Sequence, residues 1–187
     1  MANFDKAYAK TMEMEGGYVF DPLDRGGETY CGITRRWYPN WSGWHLIDGH
    51  KKELRFPDTL AGDVDLHRMV KEFYRVEYWD SVSFGKIADQ TIAEELFDTA
   101  VNMGKRAAVN DLQRAFNLLN NNGKLGSDLV TDGVIGGNTL KAVNDYPYPA
   151  AIAKVLNGLQ FLRYLTIVEK DPSQERFFRG WLKRVTM

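Results

Sequence analysis

Glu15 is the first residue whose type and place suggest chemistry. It stands in Met14-Glu15-Gly16-Gly17-Tyr18, where Gly16-Gly17 reads as a helix stop. Counting along the helical repeat from Phe4 through Ala7, Tyr8, Thr11 and Met12 brings Glu15 onto an otherwise apolar face. Partial burial and the negative end of the helix macrodipole both raise the pKa of a carboxyl so placed. A carboxyl still protonated near neutral pH is the general acid that glycosidic bond cleavage requires. The plainer reading is an exposed glutamate at a helix end.

The loop that follows offers a second carboxylate. Asp21-Pro22-Leu23-Asp24-Arg25-Gly26-Gly27 is dense in turn formers, and Glu28-Thr29-Tyr30 with Gly32-Ile33-Thr34 has the content of a small hairpin. A carboxylate here can hold water or stabilise positive charge on a sugar ring. Asp24 is the first choice, ahead of Glu28 and Asp21, and Asp21 before Pro22 reads rather as a turn-capping residue. Sugar rings pack their CH faces on aromatics, so Tyr18, Tyr30, Trp37, Trp41 and Trp44 are candidate subsite residues, with core packing the competing role. Tyr18 and Tyr30 stand out because they flank the proposed acid.

The elements that must position these groups are mainly helical. After the first helix and the Gly-rich loop, an irregular aromatic stretch runs from Trp37 past Pro39, Gly43, Gly49 and Pro57 to about Gly62. Asp63 or Asp65 then caps a helix through Leu66, Met69, Val70, Phe73 and Tyr74. A core helix is expected from about Ile87 to Met103, with Ile92, Leu96, Ala100 and Met103 inward and Gly104 as its stop. Asp98 and Asn102, spaced i and i+4, lie off that stripe. They either face a glycan cleft or hydrogen-bond loop backbone and hold the lobes together. Val109, Leu112, Phe116 and Leu119 mark the next helix, and Asn120 to Gly137 is a polar stretch. A short helix at 138–144 and two closing helices, through Ile152 to Leu162 and Phe177 to Val185, complete the chain.

Together these motifs resemble glycoside hydrolase family 108. The likeness rests on Glu15-Gly16-Gly17-Tyr18, Asp21-Pro22 with Asp24, Gly32-Ile33-Thr34, Tyr78-Trp79-Asp80, the run Leu96 to Gly104, Leu112 to Asn117, Asp132-Gly133-Val134-Ile135-Gly136, and Phe178 to Arg184, all in family order. The resemblance implies an N-acetylmuramidase of the kind found in phage endolysins and export-associated muramidases, with Glu15 as catalytic acid. It implies a lysozyme-like, two-lobed, mainly α (α+β) fold with a small β-hairpin beside the catalytic helix. A catalytic part over 1–93 and a peptidoglycan-binding part over 94–187 are expected to share one integrated fold. More distantly, phage lysozymes place an Asp or Cys and then a Thr after the Glu. Asp24 keeps the first spacing, whereas Thr29 falls one residue short of the second and is the weaker helper. The chain departs from the family at Gly137, where Pro is common, and in its aromatic stretch at 37–44.

Composition narrows the alternatives. The chain has 187 residues, 44% of them hydrophobic, and a net charge of -1, so it can bury a sizeable core and lacks the basic excess of a nucleic-acid binder. Cys31 is the one cysteine, which rules out an internal disulfide. His45, His50 and His67 lack a metal-ligand spacing, no Gly-x-Ser-x-Gly elbow occurs, and neither metal nor cofactor is expected. The N-terminus does not read as a secretory signal and no apolar run reaches membrane-span length. A cytoplasmic monomer that meets peptidoglycan strands after release through a holin-like pore or export route is therefore the expectation. A lytic transglycosylase leaving anhydro ends, or a silent wall-binding module, are the alternatives to a hydrolase.

Overall fold

The computed structural model describes residues 1–12, 16–20 and 27–185. In chain order these form α1 (Phe4–Met12), the strands β1 (Tyr18–Phe20), β2 (Glu28–Tyr30) and β3 (Ile33–Thr34), and then α2 (Gly43–His50) and α3 (Val64–Tyr74). They continue with α4 (Gln90–Met103), α5 (Lys105–Leu119), α6 (Gly137–Asn144), α7 (Pro149–Lys170) and α8 (Glu175–Leu182). The fold is mainly α with one small antiparallel sheet, as the sequence led us to expect. Two compact units result: residues 12–77, and residues 78–187 together with 1–11.

In the 12–77 unit, Tyr18 pairs with Tyr30 and Phe20 with Glu28 across β1 and β2, and Tyr30 pairs with Ile33 across β2 and β3. Cys31 and Gly32 link the last two strands, both at positive φ (46° and 78°), as the tightest right-twisted hairpin turns require. The Tyr74 hydroxyl donates to the Cys31 carbonyl at 2.7 Å and pins this turn to α3. Asp63 caps α3 by accepting from the Leu66 amide at 2.9 Å, and Leu66, Val70 and Tyr74 fall on its buried face at i, i+4, i+8.

One element departs from expectation. The stretch after Trp37 is not irregular throughout, because α2 lies within it and buries Trp44 and Ile47, three residues apart. Two glycines in eight residues look like breakers, yet Gly43 serves a close approach. A Cβ there would lie 2.3 Å from Cζ2 and Cη2 of Trp41, whose ring covers the start of the helix.

The other unit is built on α4, which packs on both α5 and α7. Asp89 caps it through the Ile92 amide at 2.9 Å, so it starts at Gln90 rather than Ile87, and Gly104 ends it at φ 93°. Ile92, Leu96, Phe97 and Ala100 are fully or almost fully buried, each larger side chain stabilising by about 2 kcal/mol. α1 completes this core: the Phe4 ring meets Trp79 and Phe97 edge-on at 5.7 Å each. Position 93, where the sequence suggested a division of the chain, lies inside α4. No helix of the described residues is long and apolar enough to cross a membrane.

Residues 121–136 form a long connection without regular structure, held to α5 and its C-terminal cap by three side-chain amides at i, i+4, i+7. Asn117 exchanges two hydrogen bonds with the Leu129 backbone, at 2.8 and 2.7 Å. Gln113 donates to the Val134 carbonyl and accepts from the Gly133 amide, both at 3.0 Å, and Asn120 accepts from the Gly123 amide at 3.1 Å. Each amide satisfies backbone groups that no helix or strand supplies with partners.

Candidate active site

The helix that leads toward Glu15 is fastened along its length. Phe4, Ala7 and Thr11 form its buried face, the stripe read from the sequence, while Tyr8 and Met12 are half-buried. At its start the Asn3 amide donates to Gln90 Oε1 at 2.7 Å. Near its end Lys10 Nζ lies 3.2 Å from Glu95 and 3.5 Å from Glu94. Burial of the Lys10 ammonium works against its charge, but attraction to Glu95 and Glu94 outweighs this and raises its pKa. Glu15, Asp24 and Asp21 themselves lie outside the described residues.

Across the sheet, Tyr18, Glu28 and Tyr30 share one face, because directly opposed residues of antiparallel strands point the same way. The Tyr18 hydroxyl donates to Glu28 Oε1 at 3.1 Å and its ring meets Phe56 at 4.7 Å. Burial first, then the bond to Glu28, raises the Tyr18 phenol above its ordinary pKa. Glu28 is almost fully buried, with Arg35 Nε at 3.0 Å and Lys51 Nζ at 2.7 Å. This carboxylate is therefore occupied in joining β2 to the chain around α2. Tyr30 is 3% exposed and belongs to the core of its unit, whereas Thr29 lies on the opposite face, half-buried, opposite Thr34.

The aromatic stretch separates by role. Trp37 is 70% exposed, Trp44 is buried with its Nε1 donating to the Tyr38 carbonyl at 2.8 Å, and Trp41 is half-buried between them in character. Trp41 and Trp44 line a cavity of about 520 Å³ together with Arg35, Pro39, His45 and Asp48. Hydrogen bonds from Arg35 and Lys51 hold the Asp48 pKa down to about 2, so this edge keeps its negative charge. An aromatic wall beside fixed charges has the composition of a sugar-binding surface.

Asp98 and Asn102 are brought together, and their bonds run within the 78–187 unit. Asp98 Oδ2 accepts from Gln160 Nε2 at 2.7 Å, and its Oδ1 pairs with Arg184 Nη1 at 2.6 Å. Asn102 is exposed and donates to the Asp98 carbonyl at 3.0 Å. Asp98 thus ties α4 to α7 and to the segment after α8 through side chains. The sequence reading missed Glu95, which is 5% exposed and accepts from Asn157 at 3.0 Å as well as from Lys10. Its signal was present: Glu95 follows Ile92 by three residues, on the inward stripe.

A larger groove of about 800 Å³ lies in the 78–187 unit, where residues 125–136 face α5 and α6. Gln113, Asp128, Asp132, Thr139, Lys141 and Asp145 are among its lining residues.

Comparison with known proteins divides the chain near residue 105 rather than at 77–78. Residues 8–104 match the family model described as Glycosyl hydrolase 108, and residues 107–186 match one described as Predicted Peptidoglycan domain. The solved structure of Brucella abortus SagA is similar, with a TM-score of 0.60 and 26% identity, covering 97% of this chain and 88% of that one. No curated protein matches the chain.

Proposed function

Since the chain belongs to the glycosyl hydrolase 108 family and is a glycoside hydrolase whose partner is peptidoglycan, we propose that it cleaves the β-1,4 bond between N-acetylmuramic acid and N-acetylglucosamine. Glu15 protonates the glycosidic oxygen as the bond to the muramic acid C1 breaks. Water oriented by Asp24 adds to that carbon and loses its proton to the carboxylate. Each turnover thus consumes one water and leaves a new reducing end. Tyr18 flanks the reacting sugar, and the Trp41 cavity takes a neighbouring one. Segment 8–104 does the cleaving while 107–186 holds the wall polymer.

The observation that carries this reading is α1. Its buried face of Phe4, Ala7 and Thr11 is clamped at both ends, and Glu15 is the next position in the same helical count. A fixed helix is what a proton donor needs, because small misplacements of a catalytic group are costly in rate. The protein reaches the wall through a holin-like pore or an export system.

The decisive experiment is mass spectrometry of muropeptides released from purified sacculi. The native protein should leave reducing muramic acid ends. Glu15→Gln should lower turnover by about 10²–10⁴-fold while preserving the unfolding temperature, and Asp24→Asn should lower it less. Undiminished cleavage by Glu15→Gln would remove the acid from Glu15, and 1,6-anhydro ends would replace hydrolysis with transglycosylation.

A further inference from the structure

The groove in the 78–187 unit is preformed. Its loop wall has no regular structure, yet the amides of Gln113, Asn117 and Asn120 fix its backbone to α5. Gly126 and Gly133 sit at positive φ (134° and 77°), and a Cβ on Gly133 would come within 2.5 Å of Arg106 Cγ, so the loop is pressed close against the helix. Long connections held this firmly commonly present a binding surface. The wall also exposes apolar side chains that a folded protein would otherwise cover: Val130 is 76% and Val134 61% exposed.

The polar lining is arranged for a ligand with both signs of charge. Asp128 and Asp132 each use Oδ1 toward the protein, Asp128 for Asn120 Nδ2 and Asp132 for Gln113 Nε2 and the Val134 amide. Both Oδ2 atoms lack a partner among the described residues. Asp132 is held below its ordinary pKa, chiefly by the bond from Gln113. At the α6 side Lys141 pairs with Asp145 at 2.6 Å while remaining 80% exposed. Among the described residues lining the groove, the one aromatic ring is Phe116, which is fully buried. Carboxylates beside aliphatic side chains, without an open aromatic platform, suit a short peptide better than a sugar ring.

We propose that this groove docks the stem peptide of peptidoglycan, setting the free amine of its diamino acid against Asp128 and Asp132 and a peptide carboxylate toward Lys141. Val130 and Val134 pack on the aliphatic part of the peptide. The site rests on the reading that the chain acts on peptidoglycan, and it selects stems whose diamino-acid amine is free, because accepting a crosslink converts that amine to an amide.

The test titrates three probes into the isotope-labelled full chain and follows backbone amide signals. The probes are a synthetic stem tetrapeptide with a free diamino-acid side chain, the same peptide acetylated on that amine, and a peptide-free N-acetylglucosamine oligomer. The free-amine peptide should shift signals of Ser127, Val130 and Asn138, and acetylation should weaken binding about tenfold or more. Val130→Arg, at an exposed position that tolerates substitution, should weaken it similarly with the unfolding temperature retained. Equal binding of the two peptides, indifference to Val130→Arg, or stronger shifts at these residues from the sugar oligomer would overturn the proposal. Loss of peptide binding alongside an intact Glu15 requirement would sink the groove alone, whereas peptide binding without any glycan cleavage would sink the enzymatic reading alone.

Discussion

His50 shows what one residue contributes to the 12–77 unit. Its Nδ1 lies 2.8 Å from Glu53 and its Nε2 2.9 Å from Asp63, so the doubly protonated ring satisfies both carboxylates. The hydrogen bond to Asp63 is the main cause of a raised His50 pKa; burial opposes it and attraction to Glu53 adds to it. Because the folded value exceeds the unfolded one of about 6.5, this stabilisation is complete below that pH and fades as pH rises through the folded value. Asp63 runs the opposite way. The bond from the Leu66 amide and then His50 lower its pKa, so its share is present above about 3.9 and is lost as pH falls through the folded value. The clasp is whole between about pH 4 and 6.5. His50→Gln should therefore unfold more readily than the native protein by about 1 kcal/mol near pH 5 to 6, and the gap should close toward pH 9. A gap constant with pH in thermal scans would deny the ring its titrating role. None of this was legible in the sequence, where His50 is one of three scattered histidines. Nor was the grouping of Glu28, Arg35, Asp48 and Lys51, which only the pairing of β2 with the chain around α2 brings together.

At the scale of elements, the sequence carried most of the fold, because helices with strong 3.6-residue periodicity and side-chain caps announce themselves. Asp63 and Gly104 bound α3 and α4 as read, and the polar stretch after Asn120 is the connection expected there. α2 escaped notice because its first glycine, Gly43, answers to the Trp41 ring, whose packing no local pattern reveals. Gly43→Ala tests this. The added methyl must displace a ring already packed edge-on against Trp44 at 5.2 Å and near Phe73 at 6.2 Å. We expect a loss of about 1–3 kcal/mol with a shift in tryptophan fluorescence, whereas an ordinary helical glycine would gain stability from alanine. A stabilised variant would show that Trp41 does not cover the helix. Asp98 was visible as an off-stripe polar residue, but its partners Gln160 and Arg184 are distant in sequence, so the bonds it makes to α7 and the segment after α8 were not.

For the whole molecule, the informative fact is that the 78–187 unit borrows its last piece from the other end of the chain. Phe4 is a core residue there, 8% exposed between Trp79 and Phe97. Phe4→Ala should cost about 3 kcal/mol, and hydrogen exchange should place that loss in α4 rather than in α3, which is nearer in sequence. Equal loss of protection in both helices would contradict the assignment of α1 to this unit. The same topology orders events during synthesis. Residues 12–77 are contiguous and have their partners as soon as they clear the ribosome, whereas α1, made before them, must wait with its phenylalanine uncovered until Trp79 and Phe97 emerge. Production of this protein is thus most exposed to sticking and chaperone capture through α1, and raising the solubility of that helix's outward face is the economical way to improve yield.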